Sequence, residues 1–253
     1  MIITSSLMTF GAGFATAAIT KAQGPGKALD DIMTLVGFER LHEVAEKKRT
    51  KRDMNIQSYK ESIAQKIAAI PEENLKDPPL SIVGPAIEAS KYYIEEEILR
   101  EMFSNLISSS MNLTKDDSVH ASFVDIIKQL NTHDANILIN FKKMKLGPSS
   151  LYPIMNMKHN NEDGTFKNIF PLIVLFDDDI SFFKNTSSIN NLERLGLIKT
   201  TFSTYLTDES TYDVINNNNE IQSVLNANPT YSLNKGSLSL TEYGTNFIDI
   251  CVE

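Results

Sequence analysis

Between Leu80 and Asn112 the chain reads LSIVGPAIEASKYYIEEEILREMFSNLISSSMN, two helices' worth of apolar periodicity introduced by Pro78-Pro79 and interrupted by Glu95, Glu96 and Glu97. Ile94, Ile98, Met102 and Leu106 recur on one helical face, with Leu99, Phe103 and Ile107 beside them. A stripe that wide needs neighbours on several sides, which places the second helix in the middle of a helical domain. The glutamates need no catalytic reading. Carboxylates are favoured at the positively polarised start of a helix, and these three stand where a new helix would begin.

The same periodicity organises the rest of the N-terminal half. A helix is expected after Gly24-Pro25, and Ile56, Tyr59, Ile63, Ile67 and Ile70 mark an amphipathic stripe that Pro71 ends. Val83-Gly84-Pro85 reads as the start of the next helix. Ser118 is expected to cap one helix and Thr132 another. After Gly147-Pro148 the character changes. Asn160 to Gly164 reads as a surface turn or hairpin tip, and Phe170 to Phe176 as a short apolar run that periodicity leaves open between strand and buried helix. Thr186-Ser187 is expected to cap the helix SINNLERLGL, which Gly196 terminates. Ile198 to Leu206 reads as a strand, Asn234-Lys235-Gly236 as a hairpin turn, and Thr241 as the cap of a closing helix. The order of helix, strand, insertion, hairpin and helix is that of a winged helix. The expected fold is therefore mainly α with a small β component: an uncharged segment (1–24), an N-terminal helical bundle (25–146) and a winged-helix-like C-terminal domain (147–253).

A chain of 253 residues buries enough surface to need neither disulfides nor metals. Cys251 is the single cysteine, so no internal disulfide forms, which suits a reducing, cytoplasmic compartment. The net charge is −8, and Lys and Arg are outnumbered both up to Asp117 and beyond it, so a chain-wide nucleic-acid surface is not favoured. The first twenty residues carry no charged side chain, but six are Ser or Thr and no basic region precedes them. A buried or partner-packing helix is favoured there over membrane association, and both over a cleaved signal.

The candidate surface is the basic run Lys47, Lys48, Arg49, Lys51 and Arg52. Such a run attracts anions, including the inner face of a membrane, where each basic residue contributes about 1 kcal/mol. Its plain alternative is a solvated helix end. The Asp177-Asp178-Asp179 triplet could supply oxygen ligands to a metal, but consecutive carboxylates diverge and a solvated turn explains them more simply. His42, His120, His133 and His159 have no metal-ligand spacing, and hydrolase, NTPase and dinucleotide-binding motifs are missing from the sequence. The helix from Ser188 offers Asn190, Asn191 and Arg194 to a DNA base edge, but only one positive charge and a neighbouring Glu193. No catalytic residue, cofactor or metal is therefore assigned.

Several blocks together resemble the abortive-infection alpha family: Pro78-Pro79-Leu80, IVGPAIEAS, EEEILREMFSNLISSSMN, Ser122 to Leu130, and Asp134-Ala135. NLERLGLI and LTEYGTNFIDIC fit the same pattern. The likeness covers roughly residues 25 to 253 and is strongest between Pro78 and Leu138. It implies phage defence by abortive infection and brings no catalytic residues with it. The expected mode of action is sensing or binding, through a protein partner or a homo-oligomer, with membrane contact through residues 1–20 as an addition. The alternatives are a winged-helix nucleic-acid-binding regulator and a metal-dependent toxic nuclease.

Overall fold

The Ile56–Tyr59–Ile63–Ile67 stripe folds as the buried side of a helix, α1 (Glu46–Ala68), which runs without a break through the basic residues before it. Pro71 ends the run by capping a single 3-10 turn at Glu72–Asn74. The structure, a computed structural model, describes residues 46–176 and 184–252, with side-chain surroundings from residue 51 onward. These residues fall into two units, 46–139 with 246–252, and 140–245. They are mainly helical with one small four-stranded antiparallel sheet.

In the first unit, α2 (Leu80–Ser90) and α3 (Glu97–Ser110) follow α1. The start of α2 differs from the expected Val83-Gly84-Pro85. The helix begins at Leu80 after Pro79, and Pro85 lies inside it on the exposed side, at the loss of one backbone hydrogen bond. The start of α3 is as the charge pattern predicts, with Glu96 as N-cap and Glu97 in the first turn. Every residue from Met102 to Met111 is buried, and α3 packs against α1, α2 and a fourth helix, α4 (Phe123–Gln129).

A helix buried all round would be expected to be apolar, yet α3 carries Ser104, Asn105, Ser108, Ser109 and Ser110 inside. Each of these polar groups has a partner, which removes the cost of burying it. Ser108 and Ser110 donate back to the carbonyls of Asn105 and Ile107 (3.1 and 2.7 Å), and Ser104 meets Ser62 of α1 (2.8 Å). Lys66 donates to Glu101 (3.0 Å) and to Asn105 (2.6 Å). Asn105 and Ser109 then donate to the carbonyls of Cys251 and Ile250 (3.0 and 3.3 Å), satisfying the last turn of the closing helix, α9 (Glu242–Cys251).

Two expected caps move by a few residues. Ser122, not Ser118, precedes α4, because residues 116–118 form a turn after the 3-10 segment Leu113–Lys115. Thr132 is the first residue of α5 (Thr132–Lys143) rather than its cap. Asn131 caps it: its side-chain oxygen accepts from the backbone N–H groups of His133 and Asp134 (2.7 and 2.9 Å), and Asp134 accepts from the Asn131 N–H (3.0 Å). This reciprocal pair is a capping box with asparagine and aspartate in place of threonine and glutamate.

The second unit is built on the sheet β2-β1-β4-β3, formed by β1 (Tyr152–Asn160), β2 (Phe166–Ile173), β3 (Ile198–Thr201) and β4 (Tyr231–Leu240). Asn160 to Gly164 is the tip of the β1–β2 hairpin, and Gly164 takes the left-handed backbone (φ +81°) the turn needs. The apolar run from Phe170 is strand as far as Ile173 and stays buried to Phe176. At Leu172 the edge strand bulges (φ +54°), and the freed N–H is taken by the buried side chain of Asn156 (2.9 Å).

Helix α6 (Thr186–Arg194) ends as LERLGLI predicts. Gly196 is left-handed (φ +74°), its N–H donates to Glu193, and the Leu197 N–H donates to Leu192, the two bonds of a Schellman cap. Its N-cap, however, is Asn185 rather than Thr186-Ser187; the Asn185 side chain donates to the Val174 carbonyl (2.8 Å) instead of capping.

β3 stops at Thr201, short of the expected Leu206. The hairpin expected at Asn234-Lys235-Gly236 is also corrected, because these residues lie mid-strand in β4 and pair with Asn156, Met155 and Ile154 of β1. Gly236 is there for close approach, not for a turn: a Cβ on it would sit 2.5 Å from the Thr201 carbonyl oxygen.

The residues between β3 and β4, expected only as a polar insertion, hold a 3-10 turn at Glu209–Tyr212, α7 (Asp213–Asn216) and α8 (Asn219–Ala227). Asn218 caps α8 by accepting from Glu220 and Ile221. Thr241 caps α9 as expected (Gly244 N–H to its hydroxyl, 2.8 Å) and donates to the Gly196 carbonyl (2.7 Å).

Candidate functional site

A concavity lies in the helical unit, between α2 and α4, as an open groove of about 670 Å³. Its lining includes the short side chains of Pro85 and Ala89 on α2, of Ala121 just before α4 and of Val124 within it. Ile87, Phe123 and Ile127 of the same two helices are buried.

Tyr92 and Tyr93 close one end. Tyr93 is fixed, its hydroxyl donating to the Lys128 carbonyl (2.7 Å) and its ring standing 5.6 Å from Phe103. Tyr92 is 80% exposed. A tyrosine that open supplies apolar area and a polar tip together, the combination favoured at binding surfaces.

The rim is charged on both sides. Glu88 pairs with Lys91, and Asp125 with Lys128 (2.9 Å), each pair three residues apart. The Asp125 carboxylate holds the Lys128 ammonium above its ordinary range, first through their hydrogen bond. Glu95 and Glu96 follow the tyrosines, and Thr132, just past the end of α4, donates to Glu96 (3.4 Å).

The sequence-derived candidates fall elsewhere. Lys47, Lys48, Arg49, Lys51 and Arg52 occupy the opening turns of α1; Lys51 is exposed and Arg52 half-buried. Residues 1–20, His42 and Asp177 to Asp179 lie outside the described residues. No described helix is long and apolar enough to cross a membrane.

The four polar residues considered on α6 make intramolecular bonds. Arg194 donates twice to Asn191 (3.2 and 2.7 Å), Asn190 donates to the Thr186 carbonyl (3.0 Å), and Glu193 accepts from the Thr200 N–H and hydroxyl (both 2.8 Å).

His120 packs its ring on Phe123 and His159 on Tyr231, at 5.3 and 5.5 Å between centroids. His133 donates its backbone N–H to Asn131. Among the described residues no group of three or more His, Cys, Asp or Glu converges as a metal site. Cys251 is fully buried, and burial pushes its thiol well above the ordinary range, so it behaves as a small packed side chain.

Residues 51–251 match the family described as abortive infection alpha. The chain belongs to the abortive infection alpha family. The match spans both units, the groove of the first and the sheet of the second. For this abortive infection alpha protein, no curated protein and no solved structure gave a match.

Sequence reading passed over the groove for a physical reason. Ala89, Ala121 and Val124 carry no distinguishing pattern until tertiary packing brings them to one groove. The one available signal was Tyr92-Tyr93, an adjacent aromatic pair between two helices, only one of which could turn inward.

Proposed function

We propose that this abortive infection alpha protein defends its host against phage by binding, without catalysis, a protein partner, and that the groove between α2 and α4 is its working surface. Family membership supports the defence role. The observation that carries the mode of action is Tyr92, held 80% open at the end of an apolar trough. An exposed tyrosine beside an apolar trough is area that association can bury, and tyrosine is enriched among the residues that carry binding energy. The buried, neutral Cys251 fits a reducing cytoplasm.

In this reading the helical unit is a bundle that presents the groove, and the second unit is a winged-helix-like module used for protein contact. The order α6, β3, β4, α9 supports the latter, as do the intramolecular bonds of Asn191, Glu193 and Arg194. A gel-shift assay at two salt concentrations tests the nucleic-acid alternative; salt-dependent binding lost on reversing Arg194 or Lys47 to Arg52 would establish it. Fractionating cells that express the full chain or a form lacking residues 1–20 tests peripheral membrane contact, and identical soluble partitioning would dismiss it.

The decisive experiment is a phage-challenge plating assay with the gene, without it, and with Tyr92→Ala. Protection by the wild type and its loss in Tyr92→Ala, at equal protein level, is the expected result. Full protection by the variant would remove the groove from the mechanism.

A further inference from the structure

We infer that Arg100 is a positioning residue of the groove: its buried guanidinium holds the turn that keeps Tyr92 in water, and does so without stabilising the fold. This rests on the groove being the working surface. Arg100 lies in the first turn of α3 and is only 5% exposed. A buried charge is costly unless an opposite charge answers it, and a cation is also disfavoured at the positively polarised start of a helix.

No described carboxylate answers this one. Nη1 donates to the Ile94 carbonyl (2.6 Å), and the buried Nε has no acceptor. The next residue, Glu101, is engaged by Ser62 and Lys66 (2.8 and 3.0 Å). Stability alone gives no reason for such a group, so the one bond it makes is the place to look for its role.

That bond ends on the connector between α2 and α3, residues 91–96. At one end of the connector the N–H groups of Tyr92 and Tyr93 donate to the carbonyls of Ala89 and Ser90 (3.1 and 3.0 Å). Towards the other end Arg100 grips the carbonyl of the buried Ile94. Tyr93 is tied separately, through its hydroxyl, to Lys128. Tyr92 has no such tie: no described residue bonds its side chain, so its ring stands where its backbone puts it.

An aromatic ring beside the apolar side chains of Pro85 and Ala89 gains by folding onto them. Remaining 80% exposed therefore requires a backbone that holds it away. The planar, rigid guanidinium of Arg100 supplies that restraint from the core.

The chain has no tryptophan, so Tyr92→Trp places a single indole at the end of the groove. Its emission and acrylamide quenching are compared in Tyr92→Trp alone, with Arg100→Met and with Arg100→Lys. Methionine removes the charge and the donor, and lysine keeps both. Arg100→Met is expected to shift the emission to the blue and lower the quenching constant, as the ring leaves water. Arg100→Lys is expected to leave both unchanged.

In the otherwise unaltered chain, the urea midpoint of Arg100→Met is expected to equal or exceed that of the wild type, because an unanswered buried charge is gone. In the plating assay Arg100→Met is expected to lose protection as Tyr92→Ala does, with no further loss when the two are combined, while Arg100→Lys keeps it. A lowered midpoint or a failure to fold would make Arg100 a support of the fold and overturn the inference. Unchanged quenching in Arg100→Met would overturn it as well.

The two readings fail separately. If Tyr92→Ala loses protection while Arg100→Met leaves the indole in water, the positioning role falls and the groove stands. If Arg100→Met buries the indole and Tyr92→Ala still protects fully, the positioning role stands and the groove falls as the working surface.

Discussion

In the unit of residues 140–245 the chain covers one apolar face of its sheet. Met155, Met157 and Ile173 of the sheet are sealed by Tyr212, Ile215 and Ile221, which the segment between β3 and β4 folds over them. The helical unit does the opposite: it buries serines and asparagine deep in α3, and leaves an apolar trough with an exposed tyrosine open to water. The first arrangement spends its loop on stability. The second leaves surface unused by the fold, and unused apolar surface beside a fixed aromatic residue is what a binding function requires.

The comparison is broken most severely by a clash in backbone packing. A Cβ at Gly244 would lie 1.9 Å from the Leu197 carbonyl oxygen. Gly244→Ala gains about 1 kcal/mol of helix propensity but must push α9 off that carbonyl, so a net loss of at least about 2 kcal/mol is expected in urea denaturation.

Next is Asn105→Ala in the helical unit, which orphans the buried Cys251 carbonyl and takes a partner from Lys66. About 1–3 kcal/mol should be lost, read by the same method. The equivalent test of the sheet's cover is Tyr212→Phe. The hydroxyl donates to Gly236 and accepts from Leu206, so about 1–2 kcal/mol should go, and the cover should loosen before the sheet in hydrogen exchange.

Alkaline titration sharpens the contrast further. Burial raises the phenol of Tyr59, on α1, above its ordinary value, with the Ser90 hydroxyl bond opposing. The native state therefore keeps the proton that the unfolded state releases. The contribution is intact below the ordinary phenol range and declines as pH rises past it. Tyr59→Phe should shift the alkaline unfolding midpoint upward; an unchanged midpoint would show that other groups govern it. Smallest of all on stability is Tyr92→Ala, expected within about 0.5 kcal/mol of wild type because the side chain is 80% exposed. A thermal melt checks it, and near-wild-type stability makes any lost protection a matter of binding.

What the sequence made legible follows the reach of each signal. The α1 stripe, the glutamate start of α3, Gly196 as a C-cap and Thr241 as an N-cap are local patterns fixed within a turn or two. Their structural outcomes match. Strand β1 was hidden because Ile154 to Met157 are all buried, which erases the alternation by which a half-buried strand is read. Gly236 misled for a related reason: a glycine beside asparagine suggests a turn, but this one yields space to Thr201, a residue 35 positions away in the chain. Asn131 and Asn218 cap helices from within polar runs where several residues compete for the role. The groove depends on two helices meeting through small residues, and no local pattern encodes such a meeting.

The sheet's outer strand bears on how this protein behaves when concentrated. An open edge is a template on which other chains can polymerise. β2 spoils that template with Pro171, which has no N–H to offer, and with the Leu172 bulge, whose N–H is already held by Asn156. Fibre growth along this end of the β2 edge is thereby disfavoured.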